Sequence, residues 1–314
     1  VLPPAYVPPG RTLADYLGGN DALGANLAGV GVIVPAAEIE DALRRCGEGA
    51  DEAIDLAAAA LLCALHEDAK IALEQCRGHL AEIELEMKRA AALDSLKPDD
   101  DGLDACCDVL RYVMAEKFGY RGDEENYDDL RNADLAQVMT RRRGLPVALS
   151  ILYIHAARSL DWRIEGINFP GHFMIRLHGE KRAAILDPFS GGIARSIRDL
   201  RQLLKAQSSD KSELKPEHFT ALENRQVLLR LQNNIKVRRI QEGDLAAAER
   251  ALQRMLWLAP AQPDLWRESG ILNIRLDNLL AARRSLTRYL ELAENDQQRQ
   301  RAARLLQELS QQLH

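Results

Sequence analysis

Between Gly166 and Gly192 the chain reads GINFPGHFMIRLHGEKRAAILDPFSGG. His172 opens one run of branched and aromatic residues, and Asp187 closes the next. A histidine oriented by an aspartate on a neighbouring strand makes up two members of a nucleophilic triad, the general base and the group that fixes its ring. The third member, a cysteine or serine, has to come from another element. A helix N-terminus suits it best, because the helix dipole favours a thiolate there.

The elements that would position these residues can be read from periodicity. WRIEGINF, HFMIRLH and AAILDPF are short strand-like runs separated by turn residues. Alternation along the second puts His172, Met174, Arg176 and His178 on one face and Phe173, Ile175 and Leu177 on the other. Just upstream lies GLPVALSILYIHAARSLD. Gly144 breaks the chain, Pro146 suits a first helical turn, and Val147, Leu149, Ile151, Leu152 and Ile154 make the helix apolar almost all round, hence central. The expectation is a small antiparallel sheet laid on this helix, an α+β core. From Asp51 to about Lys117 three further helical segments precede it.

The C-terminal third is helical and repeats. GDLAAAERALQRMLWLAP from Gly243 aligns with DNLLAARRSLTRYLELAE from Asp277, pairing Ala248 with Ala282 and Leu252 with Leu286 at a shift of 34 residues. That period is the tetratricopeptide signature, paired helices stacked into a superhelix. Trp257 and Trp266 fall in this pattern and read as packing residues. The expected organisation is an irregular N-terminal segment over 1–48, a core over 49–205, a polar linker over 206–217 and helical repeats over 218–314.

Composition limits function. The 314 residues carry a net charge of -6, which argues against a nucleic-acid binder. The longest apolar run, Ile54 to Leu65, is too short to span a bilayer and contains Asp55, so no membrane is expected. VLPPAYVPPG lacks the parts of a signal peptide. Five cysteines in no disulfide pattern point to a reducing, cytoplasmic setting. Gly29-Val30-Gly31 opens no glycine-rich helix, and no HExxH or CxxC occurs, so neither cofactor nor metal is expected. Arg141-Arg142-Arg143 reads as a solvated helix end, and DEENYDD around Tyr127 as a solvated loop without calcium-loop spacing.

Helix, strand histidine and strand-end aspartate occur in the order seen in the transglutaminase-like superfamily, where a G-x-C opens the core helix. Gly144-Leu145-Pro146 falls on that G-x-C, so the resemblance puts Pro146 at the nucleophile position. RRRGLPVALSILY, GINFPGHFMIRL and ILDPFSGG together resemble the SirB-type proteins, bacterial proteins with a transglutaminase-like (papain-like) core and C-terminal tetratricopeptide repeats. The resemblance spans roughly residues 70 to 295 and implies a regulatory or scaffolding role.

Two readings follow. In the first, the chain is a non-catalytic scaffold that binds a protein or peptide through a cleft lined by Pro146, Asn168, His172 and Asp187 and through the repeats. The histidine and aspartate then serve as a strand-pinning pair. In the second, it is a cysteine- or serine-dependent hydrolase or acyltransferase with a relocated nucleophile. Ser150, one turn beyond Pro146 on the same helix face, and Cys106 or Cys107 on a preceding helix are the candidates. Adjacent helical positions diverge by about 100°, so at most one of the two cysteines can aim at His172.

Overall fold

Residues 34–93, 96–207 and 213–312 are described in a computed structural model. Among the described residues the α-helices before the repeats are, in chain order, α1 (Ala36–Glu48), α2 (Leu56–Glu67), α3 (Leu73–Leu93), α4 (Leu103–Arg111), α5 (Leu135–Arg141), α6 (Pro146–Arg158) and α7 (Ile197–Gln207). The strands are β1 (Arg121–Gly122), β2 (Arg143–Gly144), β3 (Ile164–Phe169), β4 (His172–His178), β5 (Ala183–Asp187), β6 (Ile193–Ala194) and β7 (Ala221–Leu222). The repeat helices are α8 (Asn224–Gln241), α9 (Leu245–Leu258), α10 (Pro263–Arg275), α11 (Leu279–Glu291) and α12 (Asp296–Gln312).

Two helices with no polar face form the centre. In α2 every residue from Leu56 to Leu65 is buried, and Asp55 caps its start by accepting the Ala58 N–H at 3.0 Å. In α6 Pro146 occupies the first turn, and every residue from Val147 to Ile154 is at most 2% exposed. Each large aliphatic side chain so buried contributes about 1.5–3 kcal/mol.

The sheet on α6 has the order β6-β5-β4-β3-β7, antiparallel throughout. The alternation in β4 divides as expected: Phe173, Ile175 and Leu177 join the main core, while Met174 joins Ile167 and Phe169 in a second one. Leu200 and Leu204 of α7 close that second core, so both faces of the sheet are covered. The linker expected over 206–217 therefore begins inside a helix. Past it, β7 returns to the sheet edge, pairing Ala221 with Ile167 and Leu222 with Gly166.

The N-terminal expectation needs correction where the chain is described. Residues 36–48 form α1, not an irregular segment, because Ile39, Ala42, Leu43 and Cys46 recur at helical spacing and are buried. The start of the chain, with the Gly29-Val30-Gly31 run, lies outside the described residues. Helix α1 packs on α9, and Gly47 is obligatory there: a Cβ would lie 1.9 Å from the Trp257 carbonyl oxygen.

The repeat helices continue the core. Leu252, Met255 and Trp257 share one apolar cluster with α2 and α6. Fully buried Arg254 donates to Glu67 on α2 at 2.8 Å and to Gln232 on α8 at 2.8 Å. The Asp51 carboxylate accepts the Asn224 and Arg225 N–H groups at 2.7 and 2.8 Å, capping α8 from outside. The 34-residue repeat reappears in the backbone: Gly243 and Asp277 take left-handed φ of 80° and 58° at equivalent turns.

Candidate functional site

Asp187 ends β5 with no exposed side-chain surface. The chain then turns through Gly191 and Gly192, at φ 73° and 78°. A Cβ on Gly192 would lie 2.7 Å from the Tyr153 ring, so the turn hugs α6. This turn aims donors back at the aspartate. Oδ1 accepts the Phe189 and Ser190 N–H groups at 3.1 and 3.3 Å, and His172 Nε2 at 3.2 Å. Oδ2 accepts the Ser190 hydroxyl at 3.0 Å and Arg195 Nε and Nη2 at 3.1 and 2.6 Å. Burial alone would raise the Asp187 pKa; the hydrogen bond and charge of His172, then those of Arg195, outweigh it and hold it at about 2.

The structure thus brings His172 and Asp187 together. None of the three candidate nucleophiles is hydrogen-bonded to the histidine. The Ser150 hydroxyl is fully buried and donates to the Pro146 carbonyl at 2.7 Å, one turn back along α6. Cys106 and Cys107 are buried in the main core. Burial pushes their thiols up to about 11 and about 12, away from the thiolate a nucleophile needs. Pro146 is buried in the first turn of α6, where the resemblance would put a cysteine. Among the described residues no cysteine or serine is hydrogen-bonded to His172.

Asn168 does not join the pair. It stands opposite Phe173 in the β3–β4 register, so its exposed side chain leaves the sheet on the face away from His172.

Several neighbours of the pair had no signal in the sequence reading. The Phe189 ring meets the His172 ring edge-on, 6.3 Å between centroids, and fills the space above Gly122, where a Cβ would lie 2.5 Å from it. Tyr127 packs edge-on against Phe189 at 5.8 Å, and Arg238 of α8 lies over Tyr127 at 5.7 Å. A line of rings thus runs from the imidazole to the first repeat helix. These contacts join residues up to 111 positions apart, which local periodicity does not encode.

The arginine triplet is not the solvated helix end expected: all three side chains are half-buried. Arg141 donates to Asp123 and Asn132 at 2.8 and 2.9 Å. Arg142, in a left-handed conformation, points its guanidinium at His79 and Tyr120 and lies over the Tyr120 ring. Arg143 donates to the Gly119 carbonyl at 3.2 Å. The acidic loop is solvated as expected, with residues 124–128 exposed; Arg141 holds Asp123 at its start and Arg238 donates to Asp128 at 3.0 Å. Arg141 and Arg238 therefore anchor the loop that carries Tyr127.

Residues 74–233 match the family model described as transglutaminase-like superfamily. The chain belongs to that superfamily. Residues 235–307 of this transglutaminase-like protein match a tetratricopeptide-repeat model. Curated relatives include a UPF0162 protein of Xylella fastidiosa, 34% identical over 188 residues, 59% of this chain and 66% of that one. A UPF0162 protein of Vibrio cholerae is 30% identical over 185 residues, 59% of this chain and 68% of that one. F-box only protein 21 of Mus musculus is 37% identical over 82 residues, 26% of this chain and 13% of that one. The chain thus spans about two thirds of the UPF0162 relatives. No described helix is long and apolar enough to cross a membrane.

Proposed function

We propose that this transglutaminase-like chain is a non-catalytic scaffold, regulatory in role, that binds a protein or peptide through its cleft and its helical repeats. One observation carries the reading: among the described residues no cysteine or serine is hydrogen-bonded to His172 of the His172–Asp187 pair. Proline fills the helix-start position, the Ser150 hydroxyl is spent on a backbone carbonyl, and both cysteines are buried neutral thiols. With Arg195 and Ser190 also on its carboxylate, Asp187 works as a hub that fastens β4, β5 and the following turn.

Binding is supported by the repeat helices, an architecture that generally serves protein–protein interaction. A cavity of about 360 Å³ lies between α8 and α10, and Val237 and Ile271 on its rim are more than a third exposed. The resemblance of the core motifs to SirB-type proteins supports the regulatory direction. The cytoplasm fits the five cysteines, all free in the structure.

The test is capture of partners from lysate of a bacterium carrying a UPF0162 relative, using the immobilised chain and a Val237→Asp/Ile271→Asp double variant. The proposal expects proteins held by the first and released by the second. Equal recovery on both would count against binding through the repeats.

A further inference from the structure

Arg230 sits on α8, the helix that joins sheet to repeats. Its guanidinium carbon lies 6.0 Å from the centre of the Phe173 ring. Phe173 follows His172 in β4 and faces Asn168 in the register. The side chain is partly buried, and burial lowers its pKa, a cost that an arginine normally offsets with an acceptor. Among the described residues Arg230 has neither a carboxylate nor a carbonyl on its guanidinium. Its neighbours are treated differently: Arg238 holds Asp128, Lys236 is paired with Glu268, and Arg225 donates to four carbonyls.

Position along α8 adds a second observation. Arg230, Asn233 and Val237 fall at i, i+3 and i+7 and share one helix face. Asn233 and Val237 line the 360 Å³ cavity, and so does Arg275, a second cation with no acidic partner among the described residues. Its one carboxylate, Glu268, is occupied by Lys236. This face is locally positive on a chain of net charge -6. It runs from the Phe173 ring to the exposed apolar rim of the repeats.

We infer that Arg230 is the anchor for a carboxylate of an acidic peptide that lies along α8 from the Phe173 end of the sheet into the repeat cavity. The planar guanidinium fork matches a carboxylate with two parallel N–H donors, and the aromatic face beneath holds the fork flat. Asn233 can bond the peptide backbone, and Val237 and Ile271 take an apolar side chain further along. The inference rests on the proposed binding role and adds the class of ligand.

A random-peptide display selection against the full chain tests it. The enriched peptides are then measured by fluorescence anisotropy on the wild-type chain and on Arg230→Gln. The expected result is an Asp or Glu at a fixed position and at least a tenfold loss of affinity on Arg230→Gln, with a smaller loss on Arg230→Lys. Changing that acidic residue of the peptide to its amide should give the same tenfold loss on unaltered protein, which keeps the test valid if a variant folds poorly. Peptides bound equally by wild type and Arg230→Gln, but lost on Val237→Asp, would overturn the Arg230 assignment and leave the binding role standing. A selection that enriches nothing would overturn both.

Discussion

Arg195 Nη2 lies 2.6 Å from the Asp187 oxygen Oδ2, while the other oxygen of the same carboxylate holds His172 at 3.2 Å. The aspartate that would orient a catalytic histidine is thereby shared with a permanent cation. Removing that cation leaves a fully buried carboxylate short of its charge partner. Arg195→Met should therefore destabilise the fold by about 3 kcal/mol, since breaking one side of a buried pair costs more than the pair contributes. A double-mutant cycle with Asp187→Asn, followed by urea unfolding, should return a coupling of about 1–3 kcal/mol. Additive effects would contradict the arrangement.

The same carboxylate sets an acid limit. Its pKa is about 2 in the folded protein against the usual 3.8. A depressed pKa means that the stabilisation is present above the unfolded value and is lost as the pH falls through the folded one. Unfolding free energy should thus drop between about pH 4 and pH 2, by about 2 kcal/mol from this group. Glu165, held at about 2 by His178 and Arg176 against the opposing effect of burial, titrates in the same window. In Asp187→Asn the slope over that window should be visibly shallower in pH-dependent urea titrations.

Asp277 occupies the turn position that glycine takes 34 residues earlier, at a left-handed φ of 58°. A non-glycine residue there carries about 1–2 kcal/mol of strain. Asp277→Gly should leave the fold intact and raise stability by about 1 kcal/mol, less the glycine's extra chain entropy. A melting temperature that falls would contradict the turn assignment.

Gly47→Ala should act in the opposite direction. Its methyl would meet the Trp257 carbonyl, a backbone atom that cannot rotate away. Overpacking of this kind costs about 1–3 kcal/mol. Helix α1 would lift from α9, so limited proteolysis should cut in the segment around residues 49–55 first.

Most of the frame is legible in the sequence, because local periodicity carries it. The alternation of β4, the all-apolar Pro146 helix and the 34-residue repeat are short-range patterns. Ile39, Leu43 and Cys46 of helix α1 also keep helical spacing, although the residues before them are rich in proline and glycine. Helix α7 was harder, with Leu200 and Leu204 set among arginines and amides. In the site, the meeting of His172 with Asp187 follows from strand order. The claims of Arg195 and Ser190 on the same carboxylate depend on a glycine turn that folds back. The exposed Tyr127 loop is legible as a solvated one, whereas the partners of the arginine triplet are not: a charge run reveals its partners only when chain segments distant in sequence are brought together.

Turnover tests the non-catalytic reading of His172 most directly. Wild-type chain and His172→Ala should be assayed side by side on activated esters, thioesters and glutamine-containing peptides. The same background rate is expected for both proteins on every substrate. Turnover by the wild type that disappears in His172→Ala, with the fold of the variant intact by circular dichroism, would contradict it and restore the hydrolase or acyltransferase reading.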